Sequence, residues 1–290
     1  MLRRFGLSLA CSLSAFSFAQ AQHEDAQFVL LGKTANYRQT ADREVTFLNT
    51  TFFGEIFLIP GGTVTNGYVT GPGDAKSPMR FGDGEVLFFA ADRYGSIEEL
   101  NDHFPEGTYY FHFDTPHGNV RELPVAVSSN AQSSRHPGPI ELELYQDDRP
   151  ADPDAIDPDL DLRVVWNDFQ SGAADPNGII DDMIYAMVAN CFGEEIVHSG
   201  HAFEASSFTY REKELTVPKD KLHGGQVFQI EVEFSEMDTG RYQSLPTIVT
   251  HAASTFLDIR TTGSNVEGTQ CPALPFAMDG GQTDRKKRPR

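Results

Sequence analysis

An all-β protein of two sandwich-like domains is what this sequence predicts, on three observations. Apolar side chains recur with period two in nearly every structured stretch, the alternation that buries one face of a strand and wets the other. A helical period of about 3.6 residues is almost absent. Turn signals such as Pro60-Gly61-Gly62, Gly71-Pro72-Gly73, Asp83-Gly84 and Gly224-Gly225 punctuate the runs.

Residues 1–21 read as a secretory signal peptide: a basic start at Met1–Arg4, an apolar and small-residue stretch from Phe5 to Phe18, and the small-x-small site Ala19-Gln20-Ala21. A membrane anchor needs about 20 apolar residues, and Ser8, Ser12, Ser14 and Ser17 dilute this shorter stretch. Phe5 directly follows Arg3-Arg4, which favours the general secretory route over the twin-arginine route. Ser8 stands where a lipobox before Cys11 would need a branched apolar residue. The mature chain is expected to start near Gln22 and to be secreted or periplasmic, with no membrane span.

Residues 22–128 are expected to form a β-rich N-terminal domain with one short helix. In Thr108–Asp114, Tyr109, Phe111 and Phe113 share one face while Tyr110, His112 and Asp114 share the other. The helix is placed at Ile97–Asp102, because Ser96 and Glu99 have capping-box spacing and Pro105-Glu106-Gly107 stops it. Residues 129–138 read as a linker. A second domain spans 139–263, starting with a strand at Pro139–Tyr145. Its further strands are the alternation of Leu162, Val164 and Trp166, the two-sided apolar run Met183–Ala189, the alternating Val227–Phe234 and the long Thr247–Arg260. Between them, aspartates from Asp147 to Asp161 mix with Pro150, Pro153 and Pro158, which predicts a solvated segment kept partly extended. Residues 264–290 read as a tail, basic and disordered towards Arg285–Arg290.

The 290 residues carry a formal net charge of −19. That balance works against nucleic acid, which needs a clustered basic surface. Partners are therefore sought among extracellular proteins and polysaccharides. The mature chain keeps Cys191 and Cys271 in a compartment where disulfides persist. They form either one long-loop bond or two buried thiols.

From about Pro139 to Thr262 the order of features resembles the fibronectin type III, immunoglobulin-like family. Trp166 ends an alternating strand, and Leu222 to Phe228 is similar to that family's leucine, tight turn and tyrosine-corner segment, with Phe228 in place of the tyrosine. Tryptophan followed by Asp175-Pro176-Asn177-Gly178-Ile179-Ile180-Asp181-Asp182 also resembles secreted bacterial proteins of unassigned role. The resemblance implies a module that binds or spaces.

Asp175, Asn177, Asp181 and Asp182 are candidate Ca²⁺ ligands around Gly178, although an EF-hand places its glycine sixth and this one comes fourth. The alternative is a turn rich in Asx residues. His198 and His201 flank Ser199-Gly200; two ligands do not make a zinc site, so they read as solvent-facing loop histidines. Tyr110, His112 and Asp114 offer a polar strand face on which a glycan or peptide could stack. No G-x-S-x-G elbow, Walker loop or H-E-x-x-H motif occurs, and the adjacent Glu194 and Glu195 are expected to point apart on a strand. The expected function is a noncatalytic binding or spacer module at the bacterial surface or in the periplasm. Its contacts are expected at the loops Asp175–Asp182 and Asp238–Pro246. The alternatives are a carbohydrate-active hydrolase with scattered carboxylates and a calcium-stabilised extracellular structural protein. No cofactor is called for beyond possible Ca²⁺.

Overall fold

The computed structural model describes residues 25–76, 78–81, 87–127 and 136–264. The expected signal peptide, the basic tail, Cys271, the Asp83-Gly84 turn and most of the 129–138 linker lie outside them. The N-terminal half supplies β1 (Ala26–Gln39), β2 (Val45–Leu58), β3 (Thr65–Thr70), β4 (Met79–Arg80), β5 (Leu87–Ala90), α1 (Ile97–His103), β6 (Gly107–Thr115) and β7 (Gly118–Val127). The C-terminal half supplies β8 (Leu142–Gln146), β9 (Arg149–Pro150), β10 (Leu162–Trp166), β11 (Met183–Asn190), β12 (Glu195–His198) and β13 (Phe208–Thr209). It ends with β14 (Glu214–Val217), β15 (Val227–Tyr242) and β16 (Leu245–Arg260). The fold is all-β, as the period-two pattern requires.

One eight-stranded sheet runs through both halves in the order β12-β11-β15-β16-β1-β2-β5, with β13 attached to β11. At its centre β1 pairs in parallel with β16, from Val29 opposite Thr247 to Gln39 opposite Leu257. The other neighbours are antiparallel, so β15 and β16 form a long hairpin from Val227 opposite Arg260 to Tyr242 opposite Leu245. A four-stranded sheet, β4-β3-β6-β7, supplies the core at one end, and another, β14-β10-β8-β9, supplies the core at the other.

Alternation along β16 shows how one strand serves both cores. Leu245 and Val249 join the first core, with Val29, Phe52, Tyr109 and Phe111. Leu257 and Ile259 join the second, with Trp166, Val188, Phe228 and Ile230. All four carry odd numbers and therefore share a face. Ile248, on the opposite face, packs instead with Phe28 and Leu30. On that face Phe53 lies over Gly32, where an added Cβ would stand 2.3 Å from the ring. Each large side chain so buried contributes about 1.5–3 kcal/mol.

Two anchors tie the second small sheet to β1 and β16. The Gln39 amide accepts from Leu142 N–H at 2.7 Å and donates to the Leu142 carbonyl at 2.8 Å. Ile140 N–H donates to Thr255 Oγ1 at 3.1 Å. At the other end, α1 starts at Ser96, whose hydroxyl accepts from Glu99 N–H, while the Glu99 carboxylate accepts from Gly95 N–H. The expected capping box is present, its return bond shifted by one residue.

The aspartate-rich segment differs from expectation: it is folded against the second core. Asp147 and Asp148 adopt left-handed φ angles of 48° and 58° in a two-residue turn between β8 and β9. Asp152 and Asp157 accept from the N–H groups of Asp154 and Asp159, and Asp161 from that of Lys219. Ile156 is fully buried and bridges to Thr261. The seven aspartates from Asp147 to Asp161 are exposed, as charge density suggested, but carboxylates among them close local turns and one isoleucine fastens the segment. The expected loop Asp238–Pro246 is likewise mostly hairpin, with only Gln243 and Ser244 between the paired strands.

Candidate functional site

The loop from Asp175 to Asp182 directs its carboxylates at its own backbone and at neighbouring protein donors. Asp175 accepts from the N–H groups of Asn177, Ile179 and Ile180 and from the Thr239 hydroxyl at 2.6–3.1 Å. Burial alone would raise this carboxyl, but those bonds together hold it below the usual carboxylate range. Asp182 accepts from Ala173 N–H and Met237 N–H, and Asp181 from Asp175 N–H and Arg211. The Asn177 amide donates to the Thr239 carbonyl. The four expected calcium ligands thus lie together, Asp175, Asn177 and Asp182 staple the loop to β15, and the three carboxylates accept from protein donors.

The outer face of β6 assembles a different surface. His112 stands opposite Tyr68 of β3, and Tyr68 opposite Arg80 of β4. The Tyr68 and His112 rings stack with centroids 4.5 Å apart and planes 6° from parallel, and the Arg80 guanidinium lies 5.6 Å from the Tyr68 ring centre. Parallel rings separated by about one strand spacing stand on edge above the sheet. His112 Nδ1 accepts from Glu122 N–H at 3.4 Å, and Arg80 adds a cation–π contact. Burial, then the Arg121 charge, lowers the His112 pKa, which favours the neutral ring. Beside the ladder Tyr110 is 39% exposed. Asp114 is hydrogen-bonded to Arg121 and, at 2.9 Å, to Asn66, and those bonds lower its carboxyl pKa. The predicted trio Tyr110, His112 and Asp114 does share one face. Sequence reading missed its cross-strand partners Tyr68 and Arg80, because pairing of distant strands leaves no local signal.

A second polar group sits between the two cores. Lys33 of β1 and His251 of β16 are register partners. Lys33 is 2% exposed, and its ammonium donates to Asn101 Oδ1 of α1 at 2.6 Å. His136 meets His251 edge to face at 5.5 Å, and its Nδ1 lies 3.1 Å from the Ala252 carbonyl. Burial pushes the Lys33 amine down to about 8, with Glu106 opposing. Burial, then the His136 and Lys33 charges, takes His251 to about 4. Both groups are nearly sealed from solvent, which makes them a desolvated joint between α1, β1, β16 and the chain entering β8.

Of the remaining expected residues, His198 and His201 are exposed at the end of β12 and in the loop after it, as expected of loop histidines. Glu194 accepts from the Asn190 amide, while Glu195 acts on the Tyr185 phenol. Cys191 is buried and is not free. An open depression at Pro158, Lys219, Leu222 and His223 has none of the polar clusters above in its lining. Among the described residues no helix is long and apolar enough to cross a membrane.

No protein-family model matches the chain, and no curated protein matches it. The reading of its function therefore rests on its own surfaces.

Proposed function

We propose that the chain is an exported, noncatalytic binding module of the cell surface or periplasm that contacts a polysaccharide through the outer face of the β4-β3-β6-β7 sheet. The observation that carries this reading is the Arg80–Tyr68–His112 ladder with exposed Tyr110 beside it. Sugar rings combine hydroxyls with apolar C–H faces. The exposed Arg80, together with Asn66, Asp114 and Arg121, suits the hydroxyls, and the Tyr110 ring suits a C–H face. The finer assignment of the C-terminal half as fibronectin type III-like is part of the same proposal. It is supported by Trp166, Leu222 and Phe228 meeting in one core.

A glycan array followed by calorimetric titration tests the reading. Wild type is expected to bind at least one polysaccharide and leave its length unchanged. Tyr110→Ala is expected to bind about tenfold more weakly, the equivalent of one aromatic contact of about 1.4 kcal/mol. Binding to peptides with no glycan bound would overturn the ligand class. Polysaccharide cleavage abolished by a single Asp or Glu substitution would replace the reading with the hydrolase alternative.

A further inference from the structure

We propose that His198, His201 and Glu204 form a binding site for one divalent transition-metal ion of the zinc class. The spacing of the two histidines offers only a pair, and the loop that follows β12 brings the third ligand to them. One ligating atom from each residue lies within 4.8 Å of the others. The imidazole centroids are 4.9 Å apart, and His201 Nδ1 stands 3.4 Å from Glu204 Oε1. Ligands about 2.0–2.1 Å from a tetrahedral zinc are separated by roughly 3.4 Å, so a modest inward rotation of exposed side chains completes the set. Two histidines and one carboxylate suit zinc and its neighbours better than calcium, which takes six to eight oxygens.

The loop holds these residues at fixed stations. His201 N–H donates to Glu204 Oε2 at 3.0 Å, and Glu204 N–H donates back to the His201 carbonyl at 3.0 Å. Phe203, between them, has a left-handed φ of 68° and sets its ring 4.9 Å from that of buried Phe28. Gly200 has a φ of 93°, and a Cβ there would meet Ser206 Oγ at 2.4 Å. The Tyr185 ring lies 5.5 Å from that of His201. Gly200 N–H donates to His198 Nδ1 at 3.1 Å, which places the neutral ring's proton on Nε2. Ligation through Nε2 moves that proton to Nδ1 and breaks the Gly200 bond. Three exposed ligands leave a fourth position open to water or to a ligand atom.

Metal-stripped, untagged full-length protein titrated with Zn²⁺ by calorimetry, and with Co²⁺ by visible absorption, tests the site. The expected result is one ion per chain, with cobalt bands of tetrahedral intensity. Binding should disappear in His201→Ala and fall by about tenfold or more in Glu204→Gln, while His223→Ala leaves it unchanged. All three residues are exposed, so the variants should melt with wild type. No saturable uptake of either ion by wild type would overturn the proposal, as would uptake undiminished in both His201→Ala and Glu204→Gln.

Discussion

Lys33 shows what a single position contributes to this fold. Its amine falls to about 8 from 10.5 because it is buried, and that gap corresponds to about 3 kcal/mol of cost at neutral pH. The unfolded chain holds the proton up to 10.5 and the folded chain releases it near 8, so stability should rise with pH between those values. His251 acts at the other end of the scale. Its folded pKa of about 4 lies below the ordinary 6.5, so stability should fall as pH drops from 6.5 towards 4. Denaturant titrations at stepped pH check both windows. The alkaline rise, read from pH 8 to 10, should flatten in Lys33→Met, whereas an equal rise in that variant would assign it to another group. A lysine within an apolar run is visible in the sequence, and alternation even gives its face. Its partner Asn101, 68 residues away, is not visible, because nothing local encodes which helix arrives above a strand. The same limit explains why Tyr110, His112 and Asp114 were legible as a face, and Tyr68 and Arg80 were not.

At the scale of elements, several strands with one apolar and one wet face declared themselves, although β7, which alternates in the same way, was not read. β6 and β10 follow the expected alternation, and α1 follows its capping box. Ser96→Ala removes the acceptor for Glu99 N–H and should cost about 1 kcal/mol, measured by chemical denaturation; a change near zero would mean the box does not hold the helix. The aspartate-rich stretch is solvated as read, but its attachment was missed because composition records only charge. It does not record whether a carboxylate closes its own turn, nor that Ile156 finds the core. The attachment of β8 to β1 was equally hidden. It depends on the side chain of Gln39, whose amide serves both the N–H and the carbonyl of Leu142. Gln39→Leu leaves both of those buried groups unpaired and should destabilise the protein by roughly 2–4 kcal/mol. A loss below about 0.5 kcal/mol, the ordinary scatter of surface substitutions, would show that this tie is dispensable.

Across the whole molecule, the chain's two halves meet in a single sheet. β1 from one half and β16 from the other are paired along eleven registered positions, and β16 alone lends side chains to both main cores. Sequence patterning identified the all-β class and the strands β6, β8, β10, β11, β15 and β16, but not β1, and parallel pairing across more than 200 residues has no local signature. The arrangement packs the β4-β3-β6-β7 sheet, proposed above as the binding face, against the same central sheet that carries β12. It also means that neither core can lose its share of the central sheet without disturbing the other. Differential scanning calorimetry of the full-length chain tests that claim most directly. The account predicts one transition whose calorimetric and van't Hoff enthalpies agree, moved to lower temperature as a whole by Gln39→Leu. Two resolved transitions, with only one of them shifted by that substitution, would contradict it.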